Sequence, residues 1–408
     1  MANPAAVYCA DLGYEFAAVE TADGQEGRCR LPGGEECAAW PFLTGRCGRA
    51  YNYCALHGWE TAIRTDGADP FSPEYAVCVG DAGTVVGSVS RLAGLADEGA
   101  GAGCSLEGAG AAPDPGSAGP AGSDAVSLEP TSLPESFDWR SNGGNWLTRV
   151  TFQGSCGSCW AFAAVGVVEA AANIAAGDPD LDLDLSEEYL VSGCSGTGNC
   201  CGGRPDLALA YIAESGVPDD ACLPYVDGDA SSGCTCHGLT CDGNCTYNSG
   251  GACSDRRCSD RCADWAERRQ YVASWGWVAP GANSIKAALL QRGPLAASMG
   301  MRVEYGGYWD GDIFRCSDDS SANHNVIIVG YNDAGRYWLV KESWGTDFNG
   351  TAGSGGYLKV GYGECAIEGS VLYAIAPAQP AWALQAAMSV ARSRPAVAAV
   401  SGRVYVIG

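Results

Sequence analysis

The stretch Gln153-Gly-Ser-Cys-Gly-Ser-Cys159-Trp-Ala-Phe162 joins a glycine-containing turn to an alanine-rich segment with apolar residues at helical spacing. This pattern predicts that Cys159 opens a buried helix. The positive end of a helix lowers the pKa of a thiol, and only the thiolate attacks a carbonyl. Gly154 and Gly157 leave room for the sharp turn before the helix. The stretch therefore predicts acyl transfer with Cys159 as the nucleophile.

Gln153 lies six residues before the nucleophile. Its side-chain NH₂ can point to where a tetrahedral oxyanion forms, beside the backbone N–H of Cys159. The C-G-S-C-W motif resembles the papain/cathepsin family of cysteine peptidases. The resemblance covers about residues 133–376 and includes five further stretches in family order: Leu133–Arg140, Asn199–Pro205, Asn323–Tyr331, Tyr337–Gly345 and Gly355–Cys365.

The resemblance implies an α+β fold of the papain-like, two-lobe type. A mainly helical lobe is expected from Cys159 to about Ile212, and a β-rich, barrel-like lobe from about Val272 to Ile375. The substrate cleft would lie between them.

A catalytic role for His324 is implied by its place in the matching strand motif. It would take the thiol proton and return it to the leaving amine. Glu342 stands where the family normally has asparagine, and it is one methylene longer and anionic. A carboxylate favours the imidazolium more strongly than an amide does. Trp344 is expected to shield the bond between His324 and Glu342 from water.

Substrate-binding positions also follow from the resemblance: Gly202, Gly203, Arg204, Pro205, Asn323, Trp344 and Ser370. Because the small Ser370 would end the main specificity pocket without an acid, we expect substrates with an apolar residue just before the residue at the cleaved bond. The family pattern further implies the disulfides Cys156–Cys200 and Cys316–Cys365.

The chain has 22 cysteines in 408 residues, too many for a reducing cytosol, which predicts a secreted, disulfide-bonded protein. Between Cys222 and Cys262 the cysteines favour disulfides, with a zinc knuckle as the alternative. No metal or cofactor is otherwise expected. Met1-Ala-Asn-Pro lacks the features of a signal peptide, so we expect that one has been removed.

The net charge of −24 argues against nucleic acid and anionic membranes as partners. Since no uninterrupted apolar run reaches about 18 residues, no membrane span is predicted. Protein or peptide substrates are the expected partners.

Four regions are predicted. Residues 1–95 form a cysteine-rich module in which Tyr8–Tyr14 is echoed by Tyr53–Trp59, and the echo makes Cys9–Cys29 and Cys54–Cys78 equivalent pairs, leaving Cys37–Cys47. This module resembles a small domain of bacterial proteins that carry a haemolysin label. Residues 96–132 are a Gly/Ala/Pro-rich linker, residues 133–376 the peptidase domain, and residues 377–408 resemble the truncated start of a kelch repeat.

The helical inhibitory propeptide usual in the family is not visible in the linker. Either the N-terminal module inhibits the enzyme intramolecularly, or the enzyme needs no such restraint. The leading interpretation is a secreted endopeptidase that forms an acyl-enzyme thioester on Cys159. The alternative is a binding or adhesion protein impaired by Glu342.

Overall fold

The computed structural model describes residues 1–95, 133–200, 202–226, 256–301, 307–316, 322–348, 355–377, 396–400 and 403–407. Within these ranges the helices are α1 Pro4–Asp11, α2 Ala39–Leu43, α3 Tyr53–Leu56, α4 Val89–Leu92, α5 Cys159–Ala176, α6 Glu187–Val191, α7 Pro205–Ser215 and α8 Ala282–Arg292.

The first strands are β1 Glu15–Thr21, β2 Gly24–Arg30, β3 Glu36–Ala38, β4 Glu60–Arg64, β5 Tyr75–Val79, β6 Val85–Ser88, β7 Ser136–Asp138, β8 Gly198–Asn199 and β9 Gly202–Gly203. They are followed by β10 Ser274–Trp277, β11 Leu295–Met299, β12 Tyr308–Asp310, β13 Ile313–Arg315, β14 His324–Asn332, β15 Tyr337–Lys341, β16 Tyr357–Gly361, β17 Val371–Ile375, β18 Ala396–Val400 and β19 Arg403–Ile407.

The N-terminal module consists of two units with the same order of elements. The first runs α1, β1, β2, β3, α2, and the second runs α3, β4, β5, β6, α4. Each unit has its own three-stranded sheet. A disulfide joins the first helix to the second strand in both, Cys9–Cys29 in one and Cys54–Cys78 in the other. The sequence echo therefore corresponds to a repeated structural unit.

A nine-stranded sheet organises the remainder of the chain, in the order β10-β17-β11-β14-β15-β16-β13-β12, with β7 paired to β14. Helix α5 packs against β14 on one side and α7 on the other, so it lies between the sheet and the smaller helices. This mixed α/β arrangement agrees with the predicted class. Helix α8 is an addition that the strand motifs did not predict.

Helix α5 is buried along almost its whole length because its residues are small or apolar. Gly166 is the point of closest approach, since a Cβ there would lie 2.4 Å from Cδ1 of Ile327 on β14. Gly177 ends the helix in the left-handed conformation, with φ of 65°. By length and composition α5 could also cross a membrane, but 83% of it is buried inside the protein, as is common for a core helix.

The cysteines between residues 194 and 262 that the structure describes form disulfides. Cys194 pairs with Cys258, and Cys222 pairs with Cys262. The zinc interpretation of the Cys258–Cys262 spacing is therefore wrong, because each sulfur is bonded to another sulfur. Cys234, Cys236 and His237 lie outside the described residues, as do Cys104 and the whole predicted linker.

The last two strands, β18 and β19, form an antiparallel hairpin in which Val400 pairs with Arg403. These strands lie in the segment, residues 377–408, whose sequence resembles the start of a kelch repeat. Only its backbone is described.

Candidate active site

Cys159 is the first residue of α5 and, among the described cysteines, the free one. Its side chain is buried. The preceding turn is held by Tyr225, whose hydroxyl lies 2.7 Å from Oγ of Ser158 and donates to the carbonyl of Gln153 at 2.8 Å. Tyr225 also packs edge-on against Phe162. These contacts fix the backbone that presents the sulfur.

His324 opens β14, and Glu342 directly follows the neighbouring strand β15. The pairing of these strands brings the two side chains together, with 2.7 Å between Nε2 of His324 and Oε2 of Glu342. Both side chains are fully buried. In the described part of the chain, Nδ1 of His324 and Oε1 of Glu342 have no hydrogen-bond partner. Nδ1 is therefore the ring nitrogen available for proton exchange.

Trp344 covers this pair. Its ring stacks on the His324 imidazole with 4.6 Å between centroids and 27° between planes. Since Trp344 is itself fully buried, water cannot reach the ring from that side. Trp344 therefore lies where the sequence analysis expects it, against the bond between His324 and Glu342.

The charges around Cys159 favour a thiolate–imidazolium pair. Burial of Cys159 opposes the thiolate and by itself raises the pKa. The N-terminal ammonium of Met1 and the side chain of His324 outweigh this effect and lower the pKa of Cys159 to about 5. Burial also opposes the imidazolium, but the Glu342 carboxylate and the Cys159 sulfur raise the pKa of His324 to about 9. With Met1 in the cleft, the thiolate form of Cys159 is therefore favoured near neutral pH.

Gln153 is fully buried beside the cysteine turn. Its Oε1 accepts from the hydroxyl of Ser343 at 2.7 Å, which fixes the amide so that Nε2 points toward the cleft. Nε2 donates to the carbonyls of Cys156 at 2.8 Å and Met1 at 2.7 Å. The predicted donor to the oxyanion, Nε2 of Gln153, is therefore already bonded to the Met1 carbonyl of the same chain.

The predicted wall of the cleft lies in β9 and the start of α7. A Cβ on Gly203 would lie 2.4 Å from the Trp160 ring, so only glycine fits there. Arg204 forms two hydrogen bonds with Asp206, at 3.0 and 2.5 Å, so its guanidinium is already paired. Pro205 is buried as the first residue of α7 and presents little side chain to a substrate. Gly202, the other predicted wall residue, pairs with Asn199 on β8.

Asn323 and Ser370 lie on the β-rich side. The Asn323 side chain accepts from the backbone N–H of Met301 at 2.8 Å and donates to the Met1 sulfur at 3.4 Å. Ser370 is half-buried, and its carbonyl accepts from the N–H of Ser298 at 3.1 Å. Of these two, Asn323 is the one in contact with a group inside the cleft.

The N-terminus of the chain lies in the cleft. The Met1 ammonium is 3.1 Å from Sγ of Cys159. Asn3 holds the segment in place, since its backbone N–H donates to the carbonyl of Gly154 at 3.0 Å and its Nδ2 donates to the carbonyl of Trp344 at 3.2 Å. The same Asn3 side chain caps α1. Residues 1–3 thus connect the module directly to the nucleophile.

The module also packs broadly on the peptidase side. The Trp40 indole donates to the carbonyl of Trp344 at 3.1 Å and contacts the rings of Trp344 and Phe348. Phe16 stacks on Phe152 with 5.3 Å between centroids. Aromatic pairs of this kind stabilise a contact beyond the area that they bury.

Polar contacts complete this interface. Asp347 accepts from the backbone N–H of Trp40 at 3.2 Å and of Gly27 at 3.4 Å, and burial raises its pKa to about 7. Arg149 bridges Glu20 of the module, at 2.9 Å, to Asp184, at 2.5 Å.

A buried network of charged and polar side chains includes Lys341, the residue directly before Glu342. The ammonium of Lys341 donates to the backbone carbonyl of Thr148 at 2.9 Å, and the Thr148 hydroxyl donates to Glu169 at 2.5 Å. Burial lowers the pKa of Lys341 and raises the pKa of Glu169 to about 7. The network ties α5 to β15, the elements that present Cys159 and Glu342.

Sequence reasoning missed several residues at the site, namely Met1, Asn3, Trp40, Tyr225 and Asn325. Asn325 lies next to His324, and its Nδ2 is 3.7 Å from Sγ of Cys159. Alternation along β14 could have suggested this contact only if the cysteine were already known to face the strand. Asn3 is followed by proline, a pattern that predicts the N-cap of a helix. Nothing in the sequence indicates that Asn3 lies in the cleft.

Comparisons with known proteins agree with the peptidase motifs. Residues 133–375 match the family described as papain family cysteine protease, and residues 1–46 match a domain of unknown function (DUF333). Cathepsin S of Bos taurus is 32% identical over 241 residues, which are 56% of this chain and 60% of that protein. A cathepsin B-like protein, CP3 of Giardia intestinalis, is 28% identical over 60% of this chain and 76% of its own length.

The chain spans about three fifths of the length of the cathepsin S relatives. Among solved structures, digestive procathepsin L 3 of the Tenebrio molitor larval midgut superimposes with a TM-score of 0.47 at 27% identity. The match covers 62% of this chain and 72% of that one.

Proposed function

Because the chain belongs to the papain family of cysteine proteases, we propose that it hydrolyses peptide bonds through an acyl-enzyme thioester on Cys159. The observation that carries this proposal is the buried arrangement of the free Cys159 sulfur, His324 and Glu342, with 2.7 Å between the last two. A buried imidazole held by a carboxylate stays protonated beside a thiolate, which is the ground state that such chemistry needs.

Each residue has a role in the proposed cycle. The Cys159 thiolate attacks the scissile carbonyl, and the oxyanion is stabilised by the backbone N–H of Cys159 and by Nε2 of Gln153. Nδ1 of His324 gives its proton to the leaving amine, and then takes a proton from the water that hydrolyses the thioester. Glu342 orients the imidazole through Nε2.

The N-terminal module is proposed to inhibit the enzyme intramolecularly. Support comes from the Met1 carbonyl on Nε2 of Gln153, at 2.7 Å, and the Met1 ammonium on Sγ of Cys159, at 3.1 Å. A substrate cannot use the same donor while this segment is bound. Activity thus requires residues 1–3 to leave the cleft, whether or not the rest of the module stays docked.

The setting is proposed to be extracellular, since seven disulfides lie among the described residues. An apolar residue just before the residue at the cleaved bond remains the expected preference, based on the small Ser370. The hairpin of β18 and β19 is proposed to begin a kelch-like repeat.

A second candidate function is binding without turnover. The observation that favours it is Glu342 itself, because a carboxylate that holds the histidine proton too firmly slows its transfer to the leaving amine. The presence of Cys159, His324 and Gln153 together favours the peptidase, because a site used only for binding has no need of all three, and a measurement of turnover separates the two functions.

The test uses a thiol-directed epoxysuccinyl inhibitor and a fluorogenic leucine-arginine peptide. We expect labelling and hydrolysis in a chain lacking residues 1–3, and neither in the same chain with Cys159→Ala. Glu342→Asn serves as the matched comparison for the third position. Activity that appears only in Glu342→Asn would reject the peptidase and favour the binding function.

A further inference from the structure

A second polar side chain on β14 contacts the nucleophile. Asn325 directly follows His324, and its Nδ2 lies 3.7 Å from Sγ of Cys159. An amide nitrogen donates hydrogen bonds and does not accept them, so the sulfur is the acceptor in this contact. A thiolate accepts a hydrogen bond more strongly than a thiol does. Asn325 therefore contacts the reacting atom in a way that favours its charged form.

The Asn325 amide is held in this orientation by the neighbouring strand. Ser298 of β11 is paired with Asn325 in the register of the sheet, and its hydroxyl donates to Oδ1 of Asn325 at 2.9 Å. Because Oδ1 is engaged by this bond, the Nδ2 end of the amide points toward Cys159. Ser298 is itself fixed, since its backbone N–H donates to the carbonyl of Ser370 at 3.1 Å. The donor is therefore oriented before any substrate binds.

We propose that Asn325 is a further catalytic residue, which donates a hydrogen bond from Nδ2 to the Cys159 thiolate, and that Ser298 is a positioning residue that acts through it. The inference rests on the proposed peptidase function and adds a neutral donor at the nucleophile. Neither Asn325 nor Ser298 is among the site residues that the sequence predicts.

The charges at the site explain what a neutral donor contributes. The charged and titratable groups that face Cys159 are the Met1 ammonium, 3.1 Å from Sγ, and His324, with the Glu342 carboxylate behind the imidazole. Glu342 stabilises the imidazolium, but its negative charge also repels the thiolate. A hydrogen-bond donor at the sulfur offsets this repulsion without changing the net charge of the site. Since Asn325 is next to His324 on the same strand, both are positioned by one element.

The donor acts whenever the sulfur carries negative charge, which is before acylation and again when the thioester is hydrolysed. In hydrolysis, water attacks the thioester carbonyl and gives a proton to His324. The bond between the carbonyl carbon and Sγ then breaks, the electron pair stays on the sulfur, and the acyl group leaves as a carboxylic acid. Nδ2 of Asn325 stabilises the departing thiolate. Loss of the donor is therefore expected to disfavour the thiolate and to slow release of the acyl group.

The experiment measures how the rate of alkylation of Cys159 by iodoacetamide depends on pH in the full chain, with the Cys159 peptide quantified by mass spectrometry. Asn325→Ala removes the donor, and the midpoint of the profile should move to higher pH by about 0.5–1 pH unit. Asn325→Asp keeps the shape and an acceptor for Ser298 but places a carboxylate beside the sulfur, so the midpoint should move further in the same direction. Ser298→Ala should give a smaller shift than Asn325→Ala, and no shift would overturn its positioning role.

Asn332→Asp is the matched control, because it makes the same substitution at the other end of β14. Oδ1 of Asn332 accepts from the backbone N–H of Gly335 at 2.7 Å, which an aspartate can also do, so the profile should match that of the unmodified chain. If the unmodified chain reacts as a thiolate below neutral pH and both Asn325 variants do the same, the inference alone is overturned. If Cys159 of the unmodified chain reacts only near the ordinary thiol pKa of about 8.5, the proposed function fails and the inference fails with it.

Discussion

Oε2 of Glu342 lies 2.7 Å from Nε2 of His324, and neither side chain is exposed to solvent. This contact puts a negative charge where the family pattern normally has a neutral amide. The carboxylate is the largest contribution that raises the pKa of His324, to about 9. The imidazolium, and the activity that depends on it, should therefore be lost only as the pH rises through about 9.

Glu342→Gln should move this alkaline limit to lower pH. Glutamine keeps the length and an acceptor oxygen but removes the charge, so the pKa of His324 should fall toward its ordinary value of about 6.5. The pH profile of kcat/KM, measured in chains lacking residues 1–3, checks this. An alkaline limb that does not move would contradict the electrostatic role of Glu342.

Removal of the Met1 charge should raise the pKa of Cys159. Burial opposes the thiolate, and the Met1 ammonium is the largest contribution that lowers the pKa, to about 5. Acetylation of the α-amine should therefore shift the pH dependence of iodoacetamide alkylation to higher pH. In Trp40→Ala protein, where the module is expected to undock, the same acetylation should have no effect.

Trp40→Ala should activate and destabilise the protein together. It removes the bond to the Trp344 carbonyl and a nearly buried ring between Trp344 and Phe348. Truncation of a buried aromatic costs about 3–5 kcal/mol. We expect at least tenfold faster peptide hydrolysis and a lower Tm by calorimetry. Trp59→Ala is the control, since Trp59 stacks on the exposed His57 of the module instead, and it should leave hydrolysis unchanged.

Lys341→Met should destabilise the peptidase domain by about 3 kcal/mol, because a buried carboxylate network would lose its cation. Lys341 contacts Glu169 through Thr148, so Glu169→Gln in the same chain should restore much of the loss. Urea denaturation of the two single variants and the double variant measures this coupling. Additive losses would show that the two charges do not interact.

The sequence was sufficient to single out Cys159, His324 and Glu342 as the candidate site, because each lies in or beside a short motif whose neighbours specify it. Cys159 opens the alanine-rich helix, His324 opens the apolar strand β14, and Glu342 directly follows the apolar strand β15. Because β14 and β15 follow each other along the chain, their antiparallel pairing is the expected arrangement. The site could thus be predicted from local pattern plus resemblance.

The N-terminal contacts could not be predicted in the same way. Met1 and Cys159 are 158 positions apart, and nothing local to Met1 indicates a partner. Their contact depends on how the surface of residues 1–95 fits the surface of the peptidase domain, through Phe16 on Phe152 and Trp40 on Trp344. No periodic pattern in a sequence predicts this kind of shape complementarity between two surfaces. Arg204 stays a predicted residue of the cleft wall, and its ion pair with Asp206 is a local contact that the resemblance did not indicate.

The seven disulfides among the described residues, which include the predicted pairs Cys37–Cys47, Cys156–Cys200 and Cys316–Cys365, fall into two separate groups. Three join cysteines within the module, and four join cysteines within the peptidase domain, so among the described residues no disulfide crosses the interface. After a cut in the intervening segment, none of these seven disulfides would join the two parts, which pack on each other through non-covalent contacts such as that of Trp40 with Trp344. The docked module then acts as a protein ligand of the peptidase domain, and the strength of its binding can be measured as a Kd.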